Sequence, residues 1–260
     1  MYKQYGDNFI ITDVMAQTIT IIMPVYNEED CIEQVIKDID AAVLSKLDGS
    51  ELLVIDDGST DSTTKILDNL AGCLPSVFPL HKDNGGHGDA LRYGLDHAEG
   101  EFLFLMDSDG QVDPEDFWLL WKKRHEAAFI CGNRSKRDDP IHRLVLSRLL
   151  RYGIRLLFGL KCRDANVPFK LMTKSFWKRA RPFIPEKTLT PSLFLSLLAH
   201  RLGEGVEEIE IRHLSRKTGA CHIRYFNLFR FSLRSLFQLL EFRWKMGRKS
   251  KKSWKSRDDA

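Results

Sequence analysis

Phe102-Leu103-Phe104-Leu105-Met106-Asp107-Ser108-Asp109 is the stretch on which the fold turns. Five apolar residues in succession predict a strand buried on both faces, as in a parallel sheet. The run ends in two carboxylates one residue apart. Residues i and i+2 of a strand project to the same side. A strand continued to Asp109 therefore turns Asp107 and Asp109 together into the space beyond its carboxyl end. Open α/β sheets hold their ligands in that space. Two carboxylates there suit Mg²⁺ or Mn²⁺, and such a cation in turn holds a diphosphate. Asp-Ser-Asp-Gly is also ordinary turn chemistry; the apolar strand leading into it favours the metal reading.

Upstream, further strands end in the same manner. Ile19 to Met23 is an apolar run stopped by Pro24, and Val25-Tyr26-Asn27-Glu28-Glu29-Asp30 is a loop. Apolar Ile32, Val35, Ile36, Ile39 and Val43 predict a helix over residues 30 to 47. Leu52 to Ile55 is a second strand and runs into Asp56-Asp57. Ser59, Thr60 or Asp61 caps a helix over residues 61 to 71. A short strand over residues 77 to 81 leads to Asn84-Gly85-Gly86-His87-Gly88 and a helix over residues 89 to 97. Strand–helix alternation of this kind predicts a mostly parallel, doubly wound α/β sheet flanked by helices.

Three consecutive strands thus end in carboxylate- or glycine-bearing loops at one sheet edge, which is what a nucleotide pocket needs. Tyr26 is suited to cover a base. Asp56 and Asp57 accept hydrogen bonds from base or ribose, and Gly88 at a helix start lets phosphate approach. The glycine cluster fits neither a dinucleotide fingerprint nor a phosphate-binding P-loop.

Bulk properties bound the class. The chain has 260 residues, 43% of them hydrophobic, and a formal net charge of +3, which reads as one large domain or a domain with appendages. Its five cysteines are scattered, with no CxxC pair, against a disulfide framework or zinc site and for a reducing compartment. Residues 1–17 lack an apolar core of signal-peptide length, so no secretion is expected. No run reaches the roughly 18 uncharged apolar residues of a membrane-spanning helix. The positive charge lacks interleaved base-stacking aromatics outside an amphipathic helix, so no nucleic-acid partner is expected.

Pro24-Val25-Tyr26-Asn27-Glu28, Asp56-Asp57-Gly58-Ser59-Thr60-Asp61, Asn84-Gly85-Gly86-His87-Gly88-Asp89-Ala90-Leu91 and Asp107-Ser108-Asp109 occur in that order. Together they resemble the inverting family-2 glycosyltransferases of the GT-A fold. The resemblance implies a nucleoside diphosphate sugar donor and a divalent metal. It puts donor contacts at Pro24, Val25, Tyr26, Glu28, Asp56, Asp57, Gly88, Asp107, Ser108 and Asp109, with Asp107 and Asp109 on the metal. Gln111 is a candidate for a further metal oxygen.

The second half narrows the reading. Residues 128 to 131 predict another strand, running into Gly132-Asn133-Arg134. A basic amphipathic helix is expected over residues 141 to 158, with Arg148, Arg151 and Arg155 on one face. Its partner is either an anionic acceptor or membrane headgroups. Asp164-Ala165-Asn166-Val167-Pro168-Phe169-Lys170-Leu171 and the stretch from Glu207 through Arg216 to Gly219 are similar to the polyprenyl-phosphate sugar transferases, of which dolichyl-phosphate mannose synthase is the best-known type. That likeness makes Arg134, Arg148 and Arg216 the residues that gather phosphates of donor and acceptor, beside a catalytic Asp109. Two positions depart from the pattern: His222 stands where a lysine is usual, and Pro168 replaces a glycine.

Many inverting family-2 enzymes carry a general-base Asp at the start of a late helix. The corresponding stretch here is Thr188-Leu189-Thr190-Pro191-Ser192-Leu193-Phe194, with no acid. A hydroxyl acceptor needs a base to take its proton. A phosphate monoester does not, since its second pKa is about 6. The missing acid favours a lipid phosphate; Glu186 is the nearby alternative base.

A helix over residues 226 to 244 places Phe226, Phe229, Leu233, Leu236, Phe237, Leu240 and Trp244 on one stripe and Leu228, Phe231, Leu239 and Phe242 on the opposite one. One stripe is suited to the catalytic domain and the other to lipid or a partner. A basic run follows, suited to anionic lipid. The expected organisation is an extension at 1–17, a GT-A catalytic domain at 18–222, an amphipathic helix at 223–247 and a basic tail at 248–260. The expected activity is transfer of a sugar from a nucleoside diphosphate to a polyprenyl phosphate, by an enzyme peripheral to the cytoplasmic membrane surface. Transfer to a saccharide or protein hydroxyl and an inert nucleotide- or membrane-binding scaffold are the alternatives. A homo-oligomer or a membrane-protein partner is compatible with either.

Overall fold

The computed structural model describes residues 18–134, 151–159, 163–185, 188–204, 206–212, 214, 234–235 and 237–244. The expectations at residues 1–17, Arg148, Glu186, Arg216, His222, 226–233 and 245–260 lie outside them. A seven-stranded sheet has the order β3-β2-β1-β4-β6-β5-β7. The first half supplies β1 (Ile19–Val25), β2 (Ser50–Asp56), β3 (Val77–His81) and β4 (Phe102–Leu105), all parallel. Between them run helices α1 (Ile32–Ala42), α2 (Thr63–Cys73) and α3 (His87–His97). Beyond β4 come α4 (Phe117–Trp121), β5 (Phe129–Arg134) and the helical residues 151–158, here α5. The second half is completed by β6 (Lys170–Thr173), α6 (Lys174–Ala180), α7 (Pro191–Arg201) and β7 (Glu207–Ile211).

The sheet is mostly parallel, as the strand–helix alternation predicts. Its exception is β6, antiparallel to both β4 and β5. The central strands are buried on both faces, which explains their unbroken apolar runs. Phe104 packs edge-on against Phe117 and Phe169, with ring centroids 5.0 and 4.7 Å away. Each such pair contributes about 0.5–1.5 kcal/mol beyond its buried area. These rings floor the end of the sheet that carries the acid pair.

Several boundaries differ from the sequence expectations. Pro24 does not stop β1, which continues to Val25. The β4 pairing ends at Ile22 and Leu105, so the missing proline N–H falls where β1 has lost its ladder on that side. Helix α1 is shorter than residues 30 to 47, and α4 gives way to turns at 122–126. Most consequentially, β4 ends at Leu105, and residues 108–110 form a bend. Asp107 and Asp109 are brought together by that bend and not by strand alternation.

Candidate active site

The carboxyl edge of β1, β2 and β4 borders a cavity of about 470 Å³. Pro24, Val25, Tyr26, Glu28, Asp57, Asp107, Ser108 and Asp109 line it, together with Asn84, Gly86, His87 and Ala90. Sequence reasoning therefore collected most of the wall. Asn84 and His87 were missed as wall residues, although both stand inside the glycine cluster. The signal was the helix start, which lies at His87 rather than at residue 89 and turns that ring to the cavity.

The loops hold one another. Asn27, at φ 52°, accepts the Thr60 N–H on its side-chain oxygen at 2.8 Å and donates its own N–H to Ser59 Oγ at 3.0 Å. Asn is among the few side chains that tolerate this left-handed backbone. The Glu28 N–H donates to Thr63 Oγ1 at 2.9 Å. Gly58 adopts φ +72° against the backbone of Asn84, whose nitrogen lies 2.8 Å from the site of a Cβ. Much of the polar motif chemistry thus ties loop to loop, and leaves the exposed Tyr26 ring on the cavity.

Asp56 and Asp57 diverge. Asp56 is buried and does not line the cavity. Its carboxylate accepts from the Ser59 N–H at 2.9 Å, the Thr64 hydroxyl at 2.6 Å and the His81 ring at 3.0 Å. Burial by itself would raise the Asp56 pKa, but these bonds outweigh it and hold it below the usual value. His81 also meets Asp68 at 3.0 Å; burial opposes its charge, yet the two carboxylates hold its pKa above the usual value. Asp57 does face the cavity. It accepts from Lys82 Nζ at 2.6 Å and the N–H groups of Gly85 at 2.9 Å and Gly86 at 2.7 Å. Lys82 also pairs with Asp89 at 2.9 Å. A carboxylate has about four acceptor positions, so these three donors leave Asp57 room for one more.

Asp107 is partly open to the cavity, yet burial pushes its pKa up to about 6. The neighbouring charge of Asp109 adds to that rise, while His87, Arg134 and Lys170 oppose it. Two adjacent carboxylates, one of them held ionised at a cost, fit a divalent cation: the donors are hard oxygens and the ion removes the repulsion. Among the described residues no cluster of three His, Cys, Asp or Glu completes a metal cage. Gln111 stands beside Asp109 through its backbone, donating its N–H to Asp109 Oδ1 at 3.1 Å; its side chain is not part of the cavity wall.

The remaining candidates spread around this core. Gly88 lies in the first turn of α3 but off the cavity wall. A Cβ there would sit 1.8 Å from the Thr188 carbonyl oxygen, so the α3 start is packed directly on the stretch before α7. Arg134 ends β5, and Asp164 grips it through Nε at 2.8 Å and Nη2 at 3.3 Å. Fully buried Lys170 donates to the Val167 carbonyl at 2.5 Å and steadies the same loop. Arg212 and Leu214 meet the stretch that follows the acid pair: the Arg212 guanidinium and N–H bind Asp116, and the Leu214 N–H donates to Gln111 O at 2.8 Å.

The family model described as "Glycosyl transferase family 2" matches residues 20–181. Undecaprenyl-phosphate 4-deoxy-4-formamido-L-arabinose transferase of Klebsiella pneumoniae is 28% identical over 216 residues, covering 81% of this chain and 64% of that protein. Dolichyl-phosphate beta-glucosyltransferase of Trichomonas vaginalis is 26% identical over 77% of this chain and 67% of its own length. The chain thus spans less than two thirds of the length of the first of these relatives. Among solved structures, glucosyl-3-phosphoglycerate synthase from Mycobacterium tuberculosis with Mn²⁺ and UDP-glucose superposes with a TM-score of 0.64 at 20% identity, over 87% of this chain and 79% of that one. At that identity the likeness is one of fold.

Proposed function

The chain belongs to glycosyl transferase family 2, and on that premise we propose that it is an inverting, metal-dependent glycosyltransferase moving a sugar from a nucleoside diphosphate sugar to a polyprenyl phosphate. The observation that carries this reading is the single cavity that joins Tyr26 and Asp57 to the Asp107–Asp109 pair. It has a nucleoside end and a diphosphate end.

Tyr26 covers the base, and the remaining acceptor position of Asp57 takes one base N–H. Uracil offers a single imide N–H between two carbonyls, whereas guanine offers an N–H and an amino group side by side. Uridine is therefore the preferred nucleoside, in keeping with the uridine nucleotides bound in the structural relatives. Asp107 and Asp109 would hold a divalent cation, which would supply Lewis-acid stabilisation to a departing diphosphate. The first turn of α3 brings positive potential to the same end of the cavity. The acceptor phosphate oxygen forms its bond to the anomeric carbon as the bond to the donor β-phosphate breaks, and the electron pair leaves with the nucleoside diphosphate. Arg134, fixed by Asp164, holds phosphate on the acceptor side together with Arg148 and Arg216.

No carboxylate occurs between Thr188 and Phe194, the stretch packed on the α3 start. An acceptor that arrives already ionised suits such a site. The names of the relatives support the same acceptor class. A lipid acceptor puts the enzyme at a membrane surface, on the cytoplasmic side where nucleotide sugars are made; among the described residues no helix is long and apolar enough to cross a membrane. The test is incubation with radiolabelled UDP- and GDP-sugars, Mn²⁺ and polyprenyl phosphate. Label is expected in a mild-acid-labile lipid fraction from a UDP-sugar. Label in saccharide or protein alone would move the acceptor to a hydroxyl, and no transfer from any donor would overturn the enzyme reading.

A further inference from the structure

The two acids of the candidate metal pair are held in different ways. Asp107 follows Met106, whose N–H still reaches the Ile22 carbonyl at 3.1 Å, so it stands directly at the end of the β1–β4 ladder. Asp109 lies beyond that ladder, in the bend that Gly110 turns at φ +66°. The Gln111 N–H donates to Asp109 Oδ1 at 3.1 Å and so fixes the plane of the carboxylate. Where the Asp109 carboxylate stands therefore depends on where Gln111 stands.

Gln111 is anchored in turn. Its carbonyl accepts the Leu214 N–H at 2.8 Å. Two residues before Leu214, Arg212 spends both its backbone and its side chain on the same stretch. Its N–H donates to Asp116 Oδ2 at 2.6 Å, and its Nε and Nη2 donate to Asp116 Oδ1 at 2.9 and 2.7 Å. Its Nη1 pairs with Asp113 Oδ2 at 2.9 Å. Asp113 caps the short 3₁₀ turn Pro114–Asp116 by accepting the Glu115 N–H at 3.0 Å, and its carbonyl accepts the Asp116 N–H at 3.0 Å. One guanidinium thus closes both ends of the turn that begins two residues after Gln111.

We propose that Arg212 is a positioning residue for the metal site: it holds the Gln111–Asp109 arm at the spacing from Asp107 that a divalent cation requires. This deepens the reading of Asp107 and Asp109 as cation ligands and rests on it. The bond to Asp113 is the telling one. Asp116 is 4% exposed and needs a partner for its buried charge, but the Asp113 side chain is 24% exposed and open to water. Tying down a carboxylate so open adds little to stability, yet it fixes the turn next to Gln111. Arg212, Asp113 and Asp116 all stand off the cavity wall, so their effect on a cation there runs through Asp109. Ions such as Mg²⁺ tolerate little error in ligand placement, and removing the groups that orient ligands costs about 10–100-fold in metal affinity. The planar fork of an arginine can grip two carboxylates at fixed angles, which a lysine cannot.

Electron paramagnetic resonance of free Mn²⁺, during titration of the full chain alone and with UDP, tests it. The parent is expected to take up Mn²⁺. Arg212→Lys keeps the charge and loses the fork, and is expected to bind the ion roughly tenfold more weakly. Asp113→Asn is expected to act in the same direction by a smaller factor. The Mn²⁺ concentration that gives half-maximal turnover should rise in step with the binding constant in each variant. Melting temperatures without metal are read alongside. An Arg212→Lys chain that melts lower than the parent but binds Mn²⁺ as tightly makes the clamp architectural and overturns the proposal. Should Arg212→Lys fail to fold, Asp113→Asn decides: weaker binding supports the clamp and unchanged binding overturns it. A parent that takes up no Mn²⁺, with or without UDP, sinks the metal reading and the clamp together. A parent that binds while both variants match it leaves the metal site standing and removes the clamp alone.

Discussion

At the residue scale, Asp56 and Asp57 are adjacent in sequence and opposite in task. One is spent on Ser59, Thr64 and His81, the other faces the cavity under the grip of Lys82. Lys82→Met is expected to raise the donor KM about tenfold with kcat little changed, because Asp57 then loses its orientation but the reacting atoms do not. Initial rates at varied donor concentration read this directly. Asp107→Asn or Asp109→Asn is expected to lower turnover at least about a hundredfold. The raised pKa of Asp107 means that its charge is held against burial, so Asp107→Asn should melt no lower than the parent without metal, and should lose the stabilisation that Mn²⁺ gives the parent. The sequence made the two acid pairs legible, because each follows an apolar strand. It did not separate Asp56 from Asp57. That distinction depends on which face each side chain takes and on His81 and Lys82, the last residue of β3 and the one after it, some 25 residues on.

Among the elements, β3 is joined to the end of β2 and to α2 through His81, which bonds Asp56 and Asp68. Its pKa is raised in the folded chain, so the folded state holds more protons above the ordinary value of 6.5. The stabilisation is then complete below that value and is lost as pH rises through the raised one. Thermal melts across this window should show the parent losing stability toward alkaline pH, and His81→Gln should flatten that slope. Gly88 sets the fit between α3 and the stretch before α7. Gly88→Ala puts a methyl 1.8 Å from the Thr188 carbonyl, against backbone rather than a flexible side chain. About 1–3 kcal/mol of overpacking should appear as a lower Tm, by about 2–4 °C per kcal/mol in a chain of this size. Element types in the first half were readable because buried parallel strands and amphipathic helices have distinct periods. The antiparallel β6 was not, since four residues, one of them buried Lys170, carry no period.

For the molecule as a whole, the helical residues 237–244 are a structural member. Leu239 and Phe242 are buried, and the Gln238 side chain accepts the Leu189 N–H at 3.0 Å. A chain ended after residue 233 should therefore lose several kcal/mol, on the scale of about 2–5 per large buried side chain removed, and melt at least several degrees lower by calorimetry. The two opposed stripes were legible in the sequence for residues 237–244: Leu239 and Phe242 lie inward, Phe237, Leu240 and Trp244 outward. Which stripe turns inward was not, since both are apolar and only the facing Phe158 and Phe194 decide it. The sheet order carries a last consequence. Strands β1 to β4, whose following loops line the cavity, and the strands that carry Arg134 and Lys170 join along one antiparallel seam, four rungs from Phe102–Thr173 to Leu105–Lys170. On the function proposed above, donor preference and acceptor preference are thereby separable as inheritable modules: a chimaera that keeps those rungs and exchanges everything beyond them should change what receives the sugar without changing which nucleotide delivers it.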